Sequence, residues 1–403
     1  MKYILVLCDG MADFPIPALN GSTTMTVARK PYMDIMSQTG LIGRVKTVPD
    51  SLEAGSDTAN LSAMGYDAEK CYTGRSPLEA LSLKIDMSDT DIAIRCNTVT
   101  LSDDEPFEQK TMVDYSAGEI STAESHELIS AVQNELGNDI LHFYSGVSYR
   151  HCLIMQNGKL DTVLTPPHNI SKRKITEYLP KGGYSDMFIE LYKKSYELLM
   201  AHPVNLKRIA DGKRPANCIW LWGQGKKTIL EPFETLYGKK GAVISAVDLL
   251  KGIAIGAKMK SIDVEGATGT IYTNFAGKAQ AAIETLESGS DFVFIHLEAP
   301  DECGHQGDTA GKIKSLELID QKIIKPIFDR FTPANEPFKM LVMPDHYTPI
   351  VTLTHNRTPV PFLLYSSVES LGKGGIFTES GAESTGVYFD YAPDLTKLFL
   401  DCK

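Results

Sequence analysis

Three short, mostly apolar runs in this sequence are each followed, within four residues, by an aspartate. The runs occupy residues 3–8, 292–297 and 339–343. Five or six such residues without polar alternation are typical of strands buried on both faces of a parallel sheet. Ligands bind beyond the carboxyl ends of parallel strands, so we expect Asp9, Asp301 and Asp345 to meet at one edge of that sheet.

Helical periodicity alternates with further short strands along most of the chain. Helices are predicted at residues 31–40, 186–201, 249–259, 276–287 and 309–331, and strands at 42–48, 217–222, 242–246 and 360–365. Strands that alternate with helices indicate an α/β fold with a mostly parallel sheet and helices on both faces.

This alternation is interrupted in the first half of the chain. Residues 89–170 contain strand-like segments, an Asn-Gly hairpin signal and one helix, which Ser121 and Glu124 open as a capping box. Such an order predicts a smaller inserted α+β domain. The core domain is then expected to comprise residues 1–88 and 171–403.

The aspartates that follow the strands are accompanied by histidines. Asp301 and His305 are four residues apart, so a helix would bring them to one face, and His346 follows Asp345 directly. A single Asp–His pair with this spacing is more typical of a helix cap and a surface histidine. Repetition of the pattern at several strand ends favours a metal site instead.

Ser56 has two interpretations. It follows Gly55 at the start of a predicted helix, where a serine commonly serves as the N-cap. The alternative is a nucleophile at a helix N-terminus, where free N–H groups stabilise a bound phosphate.

The amino-acid composition disfavours some classes of binding partner. With 40 basic and 51 acidic residues the net charge is −11, which disfavours nucleic acid and anionic membranes as partners. The seven cysteines include no C-x-x-C pair, which indicates a reducing compartment, and no apolar stretch approaches the ~20 residues that span a bilayer. A cytoplasmic protein with a small-molecule substrate is expected.

Several longer motifs together resemble a known family. They read CDGMAD, AGSDTANLSAMGYD, YTGRSPLEA, GVSYRH, WLWGQGK, APDECGHQGD, MPDHYTP and THNRTPVPF, and they extend over essentially the whole chain. The sequence resembles the alkaline phosphatase superfamily, and within it most closely the archaeal-type 2,3-bisphosphoglycerate-independent phosphoglycerate mutases. The resemblance implies an alkaline-phosphatase-like fold and interconversion of 3-phosphoglycerate and 2-phosphoglycerate without 2,3-bisphosphoglycerate.

The resemblance also implies a site with two divalent metal ions, Mn²⁺ or Zn²⁺ and in some members Mg²⁺. Ser56 would be the catalytic nucleophile that carries a phosphoserine intermediate, with the insert closing over it to exclude water. One ion would be held by Asp301, His305 and His355, and the other by Asp9, Asp345, His346 and the Ser56 hydroxyl.

Binding of the small phosphorylated substrate is assigned to polar residues in and near the insert. The candidates are Arg95, Asn97, Asp114, Arg150, His151 and Lys226. Four other histidines are expected to be structural or solvent-exposed, namely His126, His142, His202 and His296.

One departure from the family pattern keeps a second function open. Many archaeal members carry D-R-R-A-G-R where this chain reads VDYSAGE from Val113, so guanidinium partners for a carboxylate or phosphate are missing there. The alternative is a homoserine kinase-type phosphotransferase that uses the same phosphoserine relay. A catalytically inactive binding or scaffold protein is a third hypothesis, which an absence of bound metal would favour.

Overall fold

The computed structural model describes residues 1–103, 105–334 and 336–402. The strands are β1 (Lys2–Cys8), β2 (Leu41–Val45), β3 (Ile92–Leu101), β4 (Met112–Asp114), β5 (Leu141–Tyr144), β6 (Arg150–Met155), β7 (Thr162–Val163), β8 (Lys181–Gly182), β9 (Cys218–Lys226), β10 (Gly241–Ile244), β11 (Lys260–Ile262), β12 (Phe292–Leu297), β13 (Phe338–Met343), β14 (Val360–Ser366) and β15 (Tyr388–Phe389).

The α-helices vary from one turn to sixteen residues in length. They are α1 (Thr24–Val27), α2 (Pro31–Ser37), α3 (Ser56–Ala63), α4 (Ala68–Cys71), α5 (Arg75–Ser82), α6 (Thr122–Leu136), α7 (Ser185–Met200), α8 (Pro203–Ala210), α9 (Phe233–Tyr237), α10 (Asp248–Gly256), α11 (Phe275–Glu287), α12 (Ala299–Gln306), α13 (Thr309–Ile319), α14 (Lys325–Phe331), α15 (Glu379–Ser384) and α16 (Ala392–Phe399). A π-helical segment, Asp320–Ile324, joins α13 to α14.

The chain folds into two compact units, of which the first comprises residues 1–72 and 229–403. Its sheet has the order β11-β10-β12-β1-β13-β14-β2-β15, and only β14 is antiparallel to its neighbours. The central strands β12 and β13 are buried along their whole length, so both faces of the sheet are covered. The expected α/β fold with a mostly parallel sheet is confirmed.

The second unit comprises residues 73–228 and is built on an antiparallel sheet. Strands β4, β3, β6 and β5 are neighbours in that order, and β9 also pairs antiparallel with β3. Helix α6 begins with the predicted capping box, in which Ser121 and Glu124 satisfy each other's backbone N–H groups.

The expected insert, residues 89–170, lies inside this second unit, but the unit extends further at both ends. Helix α5 packs against β9, and β9 runs antiparallel along β3 with Val99 opposite Cys218. The predicted helix 186–201 and strand 217–222 correspond to α7 and β9. They therefore belong to the second unit, not to the parallel sheet of the core as the sequence pattern suggested.

Asp320 fixes the start of helix α2 from a distant part of the chain. Its buried carboxylate accepts hydrogen bonds from the backbone N–H groups of Met33 at 2.8 Å and Tyr32 at 3.2 Å. These are first-turn N–H groups that have no partner within the helix. Burial raises the pKa of Asp320 from its ordinary value near 3.8 to about 6, although the two N–H groups counteract the shift.

We expect Asp320→Asn to change how stability depends on pH. Because the folded-state pKa lies above the unfolded one, the native protein binds the extra proton between about pH 4 and 6, and this contribution to stability is lost as pH rises. The difference in melting temperature between wild type and variant (wild type minus variant) should therefore be smaller at pH 7.5 than at pH 4.5. Calorimetry in EDTA would check this, and a constant or rising difference would contradict it.

Candidate metal centre

The sheet topology brings the predicted ligands to one edge. Asp9 follows β1 directly, helix α12 begins shortly after β12, and the Asp345-His346 pair follows β13. These three strands are parallel, so their carboxyl ends point the same way. His355 precedes β14, which runs in the opposite direction, and the start of that strand therefore lies at the same edge.

The first group of donor atoms comes from Asp301, His305 and His355, which lie within 4.8 Å of one another. The Nε2 atoms of His305 and His355 are 3.0 Å apart, and Asp301 Oδ2 lies 3.3 Å from the Nε2 atom of His305. The other ring nitrogen of His305, Nδ1, lies 2.9 Å from the carbonyl oxygen of Leu353. Donation of an Nδ1 proton to this carbonyl leaves the Nε2 lone pair of His305 available to a cation.

The electrostatics of this group depend on Asp301. A hydrogen bond to Asp301 raises the pKa of His305 to about 9. Burial, with help from the neighbouring His346, lowers the pKa of His355 to about 4. The pKa values of His305 and His355 are thus shifted in opposite directions beside the same carboxylate. A cation bound by all three side chains would fit this arrangement.

The second group consists of Asp9, Asp301 and His346, again within 4.8 Å of one another. The sequence predicts Asp345 as a member of this group, but Asp301 takes that place. Asp345 lies beside the group. Its Oδ2 atom is 3.3 Å from His346 Nε2 and accepts a hydrogen bond from Asn60 Nδ2 at 2.8 Å. Asp301 therefore adjoins both groups.

The donor set fits a metal ion. Asp9 is 2 % exposed, and its Oδ1 atom is buried with no hydrogen-bond partner among the residues that the structure describes. Burial, followed by the charges of Asp345 and Asp301, raises the pKa of Asp9 well above its ordinary range. A buried carboxylate oxygen without a donor, beside two further carboxylates, needs a positive charge.

Ser56 lies at the second group. Its Oγ atom is 3.2 Å from His346 Nε2. The interpretation of Ser56 as a helix N-cap is wrong, because Gly55 is the N-cap and Ser56 is the first residue of α3. One turn later, Asn60 Nδ2 donates to the Ser56 carbonyl oxygen and to Asp345, both at 2.8 Å, and so ties α3 to the metal-site loop.

His296 has a part in the site that the sequence did not reveal. Its Nε2 atom lies 2.9 Å from Asp9 Oδ2, and its Nδ1 atom lies 3.3 Å from Ser245 Oγ. Burial lowers the pKa of His296 to about 3, so the ring is neutral and donates one proton to Asp9. The sequence feature that could have indicated this role is a histidine within an apolar strand, one residue before the end of that strand.

In the second unit, two of the expected substrate residues form a buried polar cluster. Arg95 is 5 % exposed, lies 3.3 Å from Glu79, and stacks over the ring of Trp222 at 4.5 Å. Asn97 accepts a hydrogen bond from Trp222 Nε1 at 2.9 Å and donates to the carbonyl oxygen of Tyr115 at 3.1 Å.

Of three other expected substrate residues, two have local structural contacts and one is exposed. Asp114 pairs with Arg214 and accepts hydrogen bonds from Ser116, and Lys226 is exposed at the end of β9. His151 is buried and accepts a hydrogen bond from the Gly146 N–H at 3.1 Å. Burial lowers the pKa of His151 to about 3, so it contributes no positive charge to anion binding.

Arg75 is an additional basic residue that the sequence analysis did not single out. Its Nε atom lies 3.0 Å from Glu79 Oε1. Burial alone would raise the pKa of Glu79, but the guanidinium groups of Arg95, Arg75 and Arg150 lower it. Three guanidinium groups are thus near enough to one buried carboxylate to affect its pKa. The motif YTGRSPLEA, which contains both Arg75 and Glu79, was the available signal.

Comparison with known proteins identifies the family. Residues 37–205 match the family model for 2,3-bisphosphoglycerate-independent phosphoglycerate mutase. The chain is 48% identical, over the full length of both chains, to an enzyme of that name from Methanosarcina barkeri. It is 43% identical to one from Methanothrix thermoacetophila, over 99% of this chain and 100% of the relative.

Solved structures share the fold of this chain. The PH0037 protein from Pyrococcus horikoshii has a TM-score of 0.81 at 28% identity, covering 99% of this chain and 96% of that one. The cofactor-independent phosphoglycerate mutase from Thermoplasma acidophilum shares the fold, with a TM-score of 0.65 at 22% identity over 100% and 99% of the two chains. The fold of this chain is thus shared with solved structures over nearly its whole length.

The chain belongs to the 2,3-bisphosphoglycerate-independent phosphoglycerate mutases, a family of isomerases, and the resemblance inferred from its motifs is confirmed. A search of the described residues finds no helix that is long and apolar enough to cross a membrane.

We expect His355→Ala to weaken cation binding at the first group of donor atoms and to leave the second group intact. Asp301 and His305 would lose their third partner, whereas Asp9 and His346 would keep theirs. The metal content of the variant, measured after dialysis, should be lower than that of the wild type but not zero. His126→Ala, at an exposed histidine, is the matched control. A metal content equal to that of the wild type in the His355 variant would contradict the assignment.

Proposed function

We propose that this chain interconverts 3-phosphoglycerate and 2-phosphoglycerate without 2,3-bisphosphoglycerate, through a phosphoserine on Ser56. The names of its full-length relatives support the reaction. The observation that carries the phosphoserine is the position of Ser56 Oγ, 3.2 Å from His346 Nε2 and beside two groups of metal-type ligands.

The proposed cofactors are two divalent ions, Mn²⁺ or Zn²⁺, with Mg²⁺ as a third option. Mixed carboxylate and imidazole donors suit the first two better than they suit calcium. When bound, such ions activate the serine hydroxyl and neutralise the phosphoryl oxygens. One ion is assigned to Asp301, His305 and His355, and the other to Asp9, Asp345, His346 and Ser56.

The chain's own residues prepare Ser56 for attack on phosphorus. As the first residue of α3, Ser56 places its hydroxyl at the helix end where the backbone N–H groups and the helix dipole favour a phosphate. The Ser56 oxygen would form the new P–O bond while the bond to the 3-oxygen of glycerate breaks, and the proton lost by Ser56 would be balanced by the proton that the 3-oxygen takes up. The 2-hydroxyl then attacks the phosphoserine, which releases Ser56 again.

Substrate anions are assigned to the cluster of Arg75, Arg95 and Arg150. These three guanidinium groups lower the pKa of Glu79, so they lie close enough together to contact one anionic ligand. Bidentate guanidinium contacts are well suited to phosphate and carboxylate groups. The cluster offers replacements for the arginines missing from the VDYSAGE segment, and this favours phosphoglycerate over homoserine as substrate.

We expect Ser56→Ala to lower kcat for the mutase reaction by more than about 1,000-fold, because the phosphoryl acceptor is lost. The assay converts 3-phosphoglycerate with metal-loaded protein and couples the product to enolase, without added 2,3-bisphosphoglycerate. Ser62→Ala, at a buried serine of the same helix, is the matched control. Activity retained by the Ser56 variant would contradict the phosphoserine.

Turnover absent from the metal-loaded wild type would contradict the mutase itself. The next acceptor to test would then be homoserine, with a phosphate donor, because the alternative reaction uses the same serine. Wild-type protein that binds no metal would instead favour the scaffold hypothesis.

We expect Arg75→Met to raise KM for 3-phosphoglycerate by roughly ten- to a hundredfold, since a charge-assisted hydrogen bond to the substrate is lost. Metal content should stay unchanged. Arg330→Met is the control, because Arg330 also pairs with carboxylates, Glu287 and Glu336, but on the surface of α14. Unchanged KM in the Arg75 variant would remove this residue from the substrate site.

A further inference from the structure

Thr348 lies between the two groups of metal-type ligands and belongs to neither. Its side-chain oxygen donates a hydrogen bond to Asp301 Oδ1 at 2.5 Å and lies 3.2 Å from His346 Nδ1. The residue is fully buried. One hydroxyl therefore contacts a carboxylate that adjoins both groups and the imidazole that faces Ser56.

Proton counting determines the direction of both hydrogen bonds. A threonine hydroxyl has one proton, and an ionised carboxylate can only accept, so that proton goes to Asp301. The contact with His346 then requires that Nδ1 carries a proton and donates it to the hydroxyl oxygen. In a neutral imidazole the opposite nitrogen, Nε2, keeps its lone pair, and this atom lies 3.2 Å from Ser56 Oγ.

The backbone around Thr348 holds this hydroxyl in place. Lys312, which is fully buried, donates from Nζ to the Thr348 carbonyl oxygen at 2.8 Å and to Asp13 Oδ2 at 2.8 Å. Glycines allow the close approach of two neighbouring segments. A Cβ atom on Gly10 would lie 2.6 Å from the Thr348 hydroxyl oxygen, and one on Gly304 would lie 2.5 Å from its carbonyl oxygen.

We infer that Thr348 is a positioning residue that couples the two metal sites, by orienting the Asp301 carboxylate and fixing the Nδ1–H tautomer of His346. This inference rests on the proposed two-metal function. Outer-shell partners of this kind typically change metal affinity by 10- to 100-fold when they are removed. His305 obtains the equivalent support from the Leu353 carbonyl oxygen, which serves only the first group.

The test compares Thr348→Val, which keeps the shape but removes the hydroxyl, with Thr348→Ser, which keeps the hydroxyl. Titration calorimetry with Zn²⁺ or Mn²⁺ should show about 10- to 100-fold weaker binding in the valine variant and near wild-type binding in the serine variant. The visible spectrum of the Co²⁺-loaded protein should change in the valine variant alone, since it reports ligand orientation.

Thr24→Val is the matched control. Thr24 is also fully buried, and its hydroxyl has no hydrogen-bond partner within the described part of the chain. It should leave metal affinity and the Co²⁺ spectrum unchanged. Wild-type metal binding in the valine variant, together with wild-type turnover, would overturn the inference but leave the proposed function intact. A wild type that binds no metal would overturn the proposed function instead.

A measurement on the wild type covers the case in which the valine variant fails to fold. Nitrogen NMR of histidine-labelled, Zn²⁺-loaded protein distinguishes the two ring nitrogens, and His346→Gln assigns the signal. The inference requires a proton on Nδ1 of His346 and the metal on Nε2. A proton on Nε2 would overturn it.

Discussion

Three carboxylates that lie close together in a buried setting are the constraint on which this structure depends. Asp9, Asp301 and Asp345 are each less than a tenth exposed, and burial and mutual repulsion raise the pKa of Asp9. Charges of one sign in a poorly solvated site are costly unless they are compensated. Imidazole nitrogens surround these carboxylates, so divalent cations are the compensation that the donor set fits best.

The parallel sheet produces this arrangement with few requirements on the local sequence. Parallel strands deliver whatever follows them to one edge, so a single residue after β1 and short segments after β12 and β13 are enough. The residues around the ligands then fix their orientation. Asn60 connects the Ser56 helix to Asp345, and His296 holds Asp9.

Much of this could be predicted from the sequence, because strand ends and the residues that follow them are local signals. Asp9, Asp301 and Asp345 were placed at one edge on that basis. The extent of the second unit was not predictable in this way, since β9 pairs with β3 more than a hundred positions earlier. His296 was missed because a histidine in an apolar strand resembles a core residue, and its contact with Asp9 depends on the neighbouring strand.

In the proposed reaction, the phosphoryl group is transferred to Ser56 and then back to glycerate. The most direct test mixes metal-loaded enzyme with 3-phosphoglycerate, quenches the mixture within milliseconds and maps the phosphorylated peptide by mass spectrometry. We expect a phosphoryl group on Ser56 of the metal-loaded enzyme, and none on Ser56 when EDTA has removed the metals beforehand. Turnover with no phosphoryl group on Ser56, or with the group on a histidine, would contradict it.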